Sequence, residues 1–246
     1  MQVTLLGHGR LGSALAEGWR LTGAATPTIL TRADPPICPG DTQALVIAVK
    51  PASWRAALAP MIDSVPADAV IVSVMAGVRA ADLAAALGHR PVVRVMPTTA
   101  VAQAQGVAAV WSADPAARAV GHALFHPVAD TVDLAEEAQL DAATAVAGSA
   151  PAFFLALARA LARAGAEAGL APDAAERLAR GALRSAGSGV ATPASIDDLI
   201  ARIASPGGTT RAGLDAMGEA HLDGVARAAV DAAVARARSL ADDQPT

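Results

Sequence analysis

Gln2-Val3-Thr4-Leu5-Leu6-Gly7-His8-Gly9-Arg10-Leu11-Gly12-Ser13-Ala14-Leu15 opens the chain, and it constrains the architecture more tightly than any other stretch. Gln2–Leu6 is an apolar run that predicts a strand. The residues from Arg10 to about Thr22 have the apolar spacing of a helix. Between them lies Gly-x-Gly-x-x-Gly, in the strand–turn–helix context where that pattern binds a dinucleotide. Gly7 makes the tight turn, Gly9 admits a pyrophosphate, and Gly12 lets the helix pack close to the strand. His8, Arg10 and Leu11 complete the cofactor loop.

Working outward, short apolar runs alternate with helical patterns, the mark of a parallel α/β sheet. Further strands are predicted at Thr28–Thr31, Ala44–Val49, Ala69–Ser73, Val92–Val95 and Val107–Trp111, with helices over Ser53–Ile62 and Ala80–Leu87. Arg32–Asp41 is too short and too rich in Pro and Gly for a crossover helix, so a loop is expected there. Two strand ends carry polar punctuation where open sheets place ligands. Ala48-Val49-Lys50-Pro51 offers Lys50, the one lysine beside 18 arginines, to the cofactor ribose or phosphate, or else a solvated strand end. Met96 and Pro97 line a nicotinamide pocket or simply pack in the core. Thr31-Arg32 stands where an NAD enzyme would place an acid. With Asp34 the next acid after Arg32, a 2′-phosphate fits better, favouring NADP(H) over NAD(H).

From about Glu136 the strands stop. Alanine-rich helical patterns follow over Glu136–Ala147, Pro151–Gly169, Pro172–Ser188, Ser195–Ile203, Thr209–Met217 and His221–Leu240, with a disordered tail expected at Ala241–Thr246. The expected division is residues 1–135, a Rossmann-type dinucleotide domain, and residues 136–246, a helical bundle. The bundle's small apolar faces suit completion against a second subunit. Ala150–Leu170, the most apolar stretch, contains Arg159, Arg163 and Glu167, so it is expected to be a buried helix and not a membrane span.

Composition narrows the function classes. A net charge of −4 with no basic cluster gives no footprint for nucleic acid. A single cysteine, Cys38, precludes an internal disulfide, and the five histidines lack metal-ligand spacing, so no metal is expected. Aromatic content of 2% leaves little for stacking platforms. Met1 leads directly into a strand, so no signal peptide and a cytoplasmic location are expected.

Ala204-Ser205-Pro206-Gly207-Gly208-Thr209-Thr210 joins two helical segments near the C-terminus. Two glycines let the backbone turn and approach a ligand, and the N–H groups of the helix that follows suit an anion such as a carboxylate. Ser205, Thr209 and Thr210 add hydroxyl donors. Taken alone, the string also fits a capped turn.

Between the two glycine motifs lie Ala48–Pro51, Arg94-Val95-Met96-Pro97-Thr98-Thr99 and Thr144-Ala145-Val146-Ala147-Gly148-Ser149-Ala150-Pro151-Ala152-Phe153. In this order the set resembles the pyrroline-5-carboxylate reductase family from Gly7 to Leu214. That resemblance implies a Rossmann-type domain, an all-helical dimerisation domain, and hydride transfer from NAD(P)H to a cyclic imine carboxylate, giving proline. It implies a homodimer, or a larger assembly of dimers, in which the Ser205–Thr210 loop of one chain meets the nicotinamide held by the other. Ser205, Gly207, Gly208, Thr209, Thr210 and Ser149 are then the substrate-binding residues, with Thr210 facing the imine nitrogen; Ser149 also fits a simple helix cap. The family's usual M-P-N-T-P reads Met96-Pro97-Thr98-Thr99-Ala100 here. Its S-G-S-G-P-A-Y reads Ala147-Gly148-Ser149-Ala150-Pro151-Ala152-Phe153, and its Asn-Met is Arg10-Leu11. Another cyclic imine carboxylate, or a non-catalytic NADP-binding role, would fit the same loops. A β-hydroxyacid dehydrogenase-like enzyme would carry a lysine in the helical half, and no lysine follows Lys50.

Overall fold

Strands buried along their whole length read as unbroken apolar runs, and β1 (Val3–Leu6) and β3 (Ala44–Ile47) are such strands. In the computed structural model, which describes residues 1–242, they lie side by side within a seven-stranded sheet. The other strands are β2 (Thr28–Leu30), β4 (Val70–Ser73), β5 (Val92–Pro97), β6 (Gly106–Trp111) and β7 (Ala129–Asp133), in the order β2-β1-β3-β4-β5-β6-β7. β1 to β5 run parallel, as expected. β6 departs from the all-parallel expectation and pairs antiparallel with β5. The reason is the short Thr99–Gln103 turn between them, ended by Ala104 at φ 54°. A connection that short cannot make a parallel crossover.

Helices α1 (Arg10–Thr22), α2 (Trp54–Leu58), α3 (Ala80–Ala86) and α4 (Pro115–Phe125) cover the sheet. α4 and β7 were not expected from the sequence. The predicted helix over Ser53–Ile62 keeps only α2 as α-helix, flanked by 3-10 turns at Pro51–Ser53 and Ala59–Ser64. Pro60 lacks an N–H and cannot continue an α-helical ladder. No helix or strand forms between β2 and β3, and Cys38 from that loop is buried in the core against which α2 packs. The loop thus covers the area a crossover helix would occupy. On the other face, the Trp19 indole donates to Leu124 O (2.8 Å) and meets Phe125 edge-on, tying α1 to α4.

Among the described residues, only helices follow β7: α5 (Gln139–Ala143), α6 (Ala150–Glu167), α7 (Pro172–Gly189), α8 (Ile196–Ile203), α9 (Thr209–Glu219) and α10 (Leu222–Asp242). A π-turn over Thr144–Ser149 joins α5 to α6. The tail expected to be disordered starts inside α10; residues 243–246 lie outside the described residues. Two compact units result: Met1–Gly148 with the chain from Val230 onward, and Ser149–Ala229. The division expected at 135/136 precedes the boundary set by compactness, because α5 packs on the sheet through Leu140.

The second unit differs from the buried bundle the sequence suggested. α6 packs against α7 yet has no buried residue, with Phe154 59% and Leu161 54% exposed. Ile196 and Ile203 of α8 are exposed as well. Residues Gln139–Glu167 are long and apolar enough to cross a membrane by length and composition. Among the described residues, these apolar faces are left open to solvent.

Candidate active site

Strand order reverses at β1, with β2 on one side and β3 on the other, so a ligand crevice is expected beyond the carboxyl ends of β1 and β3. The fingerprint sits there. Gly7 has φ +101°, and a Cβ on it would lie 2.8 Å from Ala48 O; its N–H donates to Leu30 O at the end of β2 (2.8 Å). A Cβ on Gly12 would overlap Gly7 O. Both glycines are therefore required by packing. Gly9 is different: a Cβ there would meet no protein atom within 4 Å. Protein packing does not require that glycine, which leaves close approach of a ligand to the backbone as its use. α1 begins at Arg10 with no side-chain cap and no acid in its first turn. Its first N–H groups, with the Arg10 charge beside them, fit a pyrophosphate. His8 is exposed and Leu11 half-buried in this loop, and Leu11 packs against the core.

The other predicted cofactor residues share this edge of the sheet. Ala48 and Val49 follow β3 half-buried. Lys50 is exposed, and half-buried Pro51 starts a 3-10 turn whose Ser53 hydroxyl donates to Lys50 O (3.2 Å). Thr31 and Arg32 follow β2, both exposed. Thr31 is not free: its N–H and its hydroxyl both donate to Asp34 Oδ2, at 2.8 and 2.7 Å. Those two hydrogen bonds, the hydroxyl's first, hold the Asp34 carboxyl below the usual carboxylate range. Met96 and Pro97, at the end of β5, are buried, and Met96 packs on Ala109 and Leu140. Thr98, where the family carries Asn, is buried too, and its hydroxyl accepts from Val107 N–H (3.2 Å), so it ties β5 to β6.

The structure adds a group the motifs did not supply. Arg94, 4% exposed on β5, donates through Nη1 to Glu137 Oε1 (2.9 Å) and through Nη2 to Met75 O (3.4 Å). The same Glu137 oxygen accepts from Ala80 N–H (2.7 Å), so it caps α3 as well. This pair pins the segment before α5, the start of α3 and the loop after β4 beside the Met96 layer. A charge at an inward-facing position of an apolar strand, Val92-Val93-Arg94-Val95, was the signal available in the sequence.

Ser205–Thr210 and Ser149 belong to the second unit. Gly207 has φ +69°, and Gly208 N–H turns back to Ser205 O (3.1 Å). A Cβ on Gly208 would sit 2.6 Å from Ser205 Oγ, so only glycine leaves that hydroxyl its place. α9 then starts at Thr209 with no side-chain cap and no acid in its first turn. α4 and α8, by contrast, are capped by Asp114 and Ser195. The N–H groups of Thr209, Thr210 and Arg211 have no acceptor within the helix, and Ser205, Thr209 and Thr210 are the hydroxyl-bearing residues of this turn. This cradle suits a carboxylate. Ser149 has helical backbone angles and makes no capping hydrogen bond, so the cap reading of its hydroxyl is not realised.

Comparison with known proteins agrees with this architecture. A family model described as pyrroline-5-carboxylate reductase dimerisation matches residues 137–240. The pyrroline-5-carboxylate reductase of Thermus thermophilus is 36% identical over 221 residues, 87% of this chain and 80% of that one. That of Pseudomonas aeruginosa is 34% identical over 210 residues, 82% of this chain and 76% of that one. The crystal structure of Plasmodium falciparum pyrroline carboxylate reductase with NADP bound superposes with a TM-score of 0.82 at 21% identity, over 98% of both chains. With its glycine turn, its helical half and this identity over most of its length, the chain belongs to the pyrroline-5-carboxylate reductase family.

Proposed function

We propose that this protein reduces 1-pyrroline-5-carboxylate to proline, with a nicotinamide dinucleotide as the hydride source. The observation that carries the reading is the presence, in one chain of this family, of two differently built anion cradles. One is the Gly7–Gly12 turn at the start of α1; the other is the Ser205–Thr210 turn at the start of α9. The first suits a pyrophosphate and the second a carboxylate. When bound, the dinucleotide supplies a hydride.

In this reading the chain's own residues bind and orient. Arg10 and the first N–H groups of α1 hold the pyrophosphate, with His8 and Leu11 shaping the loop. Ala48–Pro51, Met96 and Pro97 border the cofactor along the sheet edge. The N–H groups at the start of α9, with the Ser205 and Thr209 hydroxyls, fix the substrate carboxylate, and Gly207 and Gly208 let the backbone come close. Thr210 holds the imine nitrogen by a hydrogen bond, keeping its proton in place as charge on the nitrogen disappears. Ser149 is a second hydroxyl for the substrate. Positioning supplies most of the rate, because a protonated imine is already a good hydride acceptor. Arg32 supports a preference for NADP(H), and a second copy of the chain is the natural cover for α6 and α8. Loss of nicotinamide absorbance on adding the imine, with proline as product, tests the reading. Purified protein that binds NADPH yet shows no imine-dependent oxidation would overturn it in favour of a non-catalytic role.

A further inference from the structure

The end of β2 is where a Rossmann-type sheet meets the adenosine ribose, and where a 2′-phosphate is told from a 2′-hydroxyl. In this chain that end is attached to the fingerprint itself through the Gly7 N–H to Leu30 O bond. The next residue, Thr31, would ordinarily offer its hydroxyl and N–H to whatever lies there. Both donors already point at one oxygen, Asp34 Oδ2. The turn is closed further by Asp34 N–H to Thr31 O (3.2 Å) and Ala33 N–H to Thr31 Oγ1 (3.2 Å). A carboxylate three residues downstream in the sequence is thereby folded back onto the tip of β2.

We infer that Asp34 is a cofactor-discriminating residue that opposes NADP and tolerates NAD, acting against the attraction of Arg32. The inference rests on the dinucleotide reading above. A 2′-phosphate at the tip of β2 would face the Asp34 charge at short range, and the donors best placed for it are engaged by that same charge. A ribose 2′-hydroxyl meets neither obstacle, because it can donate to the remaining Asp34 oxygen. Arg32, next to Thr31 and exposed, offers the compensating positive charge. Both side chains lie at the surface, so the balance is one that substitution and salt can move.

Asp34→Asn and Asp34→Ala test the assignment. Asparagine keeps an acceptor for the Thr31 donors and removes the charge; alanine removes both. Dissociation constants for NADPH and NADH, from quenching of protein fluorescence, are measured on wild type and both variants without any substrate. kcat/KM for each cofactor is measured with the imine. Both variants should raise the NADPH-to-NADH affinity ratio about tenfold, as expected for removing one charge close to a phosphate in a largely solvated site. The wild-type ratio should itself rise with added salt relative to the ratio of the variants. An affinity ratio that stays put, or moves toward NADH, in Asp34→Asn would overturn the inference. The binding arm also separates it from the proposed reaction. A shift in affinity with no imine reduction by any form upholds the Asp34 assignment and rejects the reductase reading, whereas imine reduction with an unchanged ratio does the reverse.

Discussion

Thr210 occupies the second position of α9, where its own N–H is one of those the helix leaves unpaired, and the residue is half-buried. Alanine at that position keeps the helix and removes only the hydroxyl. Thr210→Ala should therefore lower kcat/KM for the imine by about tenfold or somewhat more, the loss of one positioned hydrogen bond of roughly 1–3 kcal/mol, while Tm and NADPH affinity stay at wild-type values. An unchanged kcat/KM would transfer the role to Ser149. The glycines of the fingerprint divide differently. Gly12→Ala forces a Cβ into Gly7 O and should lower stability by about 1–3 kcal/mol in urea denaturation, as overpacking does. Gly9→Ala meets no protein atom, so it should leave Tm unchanged and weaken NADPH binding. Equal loss of stability in both variants would mean that Gly9 also serves packing.

β5 shows how a strand can carry the site and yet be only partly readable. Its apolar residues announced it, and the first glycine turn was legible for the same reason: local pattern and local structure agree there. β7, Ala129-Asp130-Thr131-Val132-Asp133, has one large apolar residue, and its strand character comes from pairing with β6, a tertiary effect that propensity does not record. The cradle at the start of α9 could be read from Ser205–Thr210 because glycines and hydroxyls act within a few residues. The Thr31–Asp34 turn could not, since a carboxylate three residues away is as free to point outward as back. Arg94 and Glu137 stand 43 residues apart, beyond any local rule. Their bond makes a sharp prediction for this region. Glu137→Ala leaves a guanidinium buried without its carboxylate and removes the acceptor for Ala80 N–H, so it should cost roughly 3 kcal/mol in urea denaturation. Glu137→Gln, which keeps an acceptor oxygen, should cost clearly less. Equal and small losses would show that the ion pair adds little beyond packing.

The exposed helical faces make the strongest demand on the molecule as a whole. Phe154, Leu155 and Leu161 of α6, with Ile196 and Ile203 of α8, are large apolar residues open to solvent in the single chain. Burying each is worth roughly 1.5–3 kcal/mol, so a handful suffices to offset the entropy lost on pairing two chains. A second copy presents the same faces, and two-fold pairing closes without leaving a sticky surface. Light scattering at micromolar concentration should therefore read at least twice the 24.4 kDa of one chain. Leu161→Glu, placing a charge in the middle of the α6 face, should shift the protein to monomer. The dinucleotide turn of the first unit holds its glycines by contacts within that unit, so the monomeric variant should still bind NADPH. If the substrate cradle of one chain serves the cofactor of the other, that same monomer should lose imine reduction. A monomeric variant with full turnover would place the complete site within one chain, and a wild-type protein already monomeric at micromolar concentration would remove the second copy as the cover for these helices.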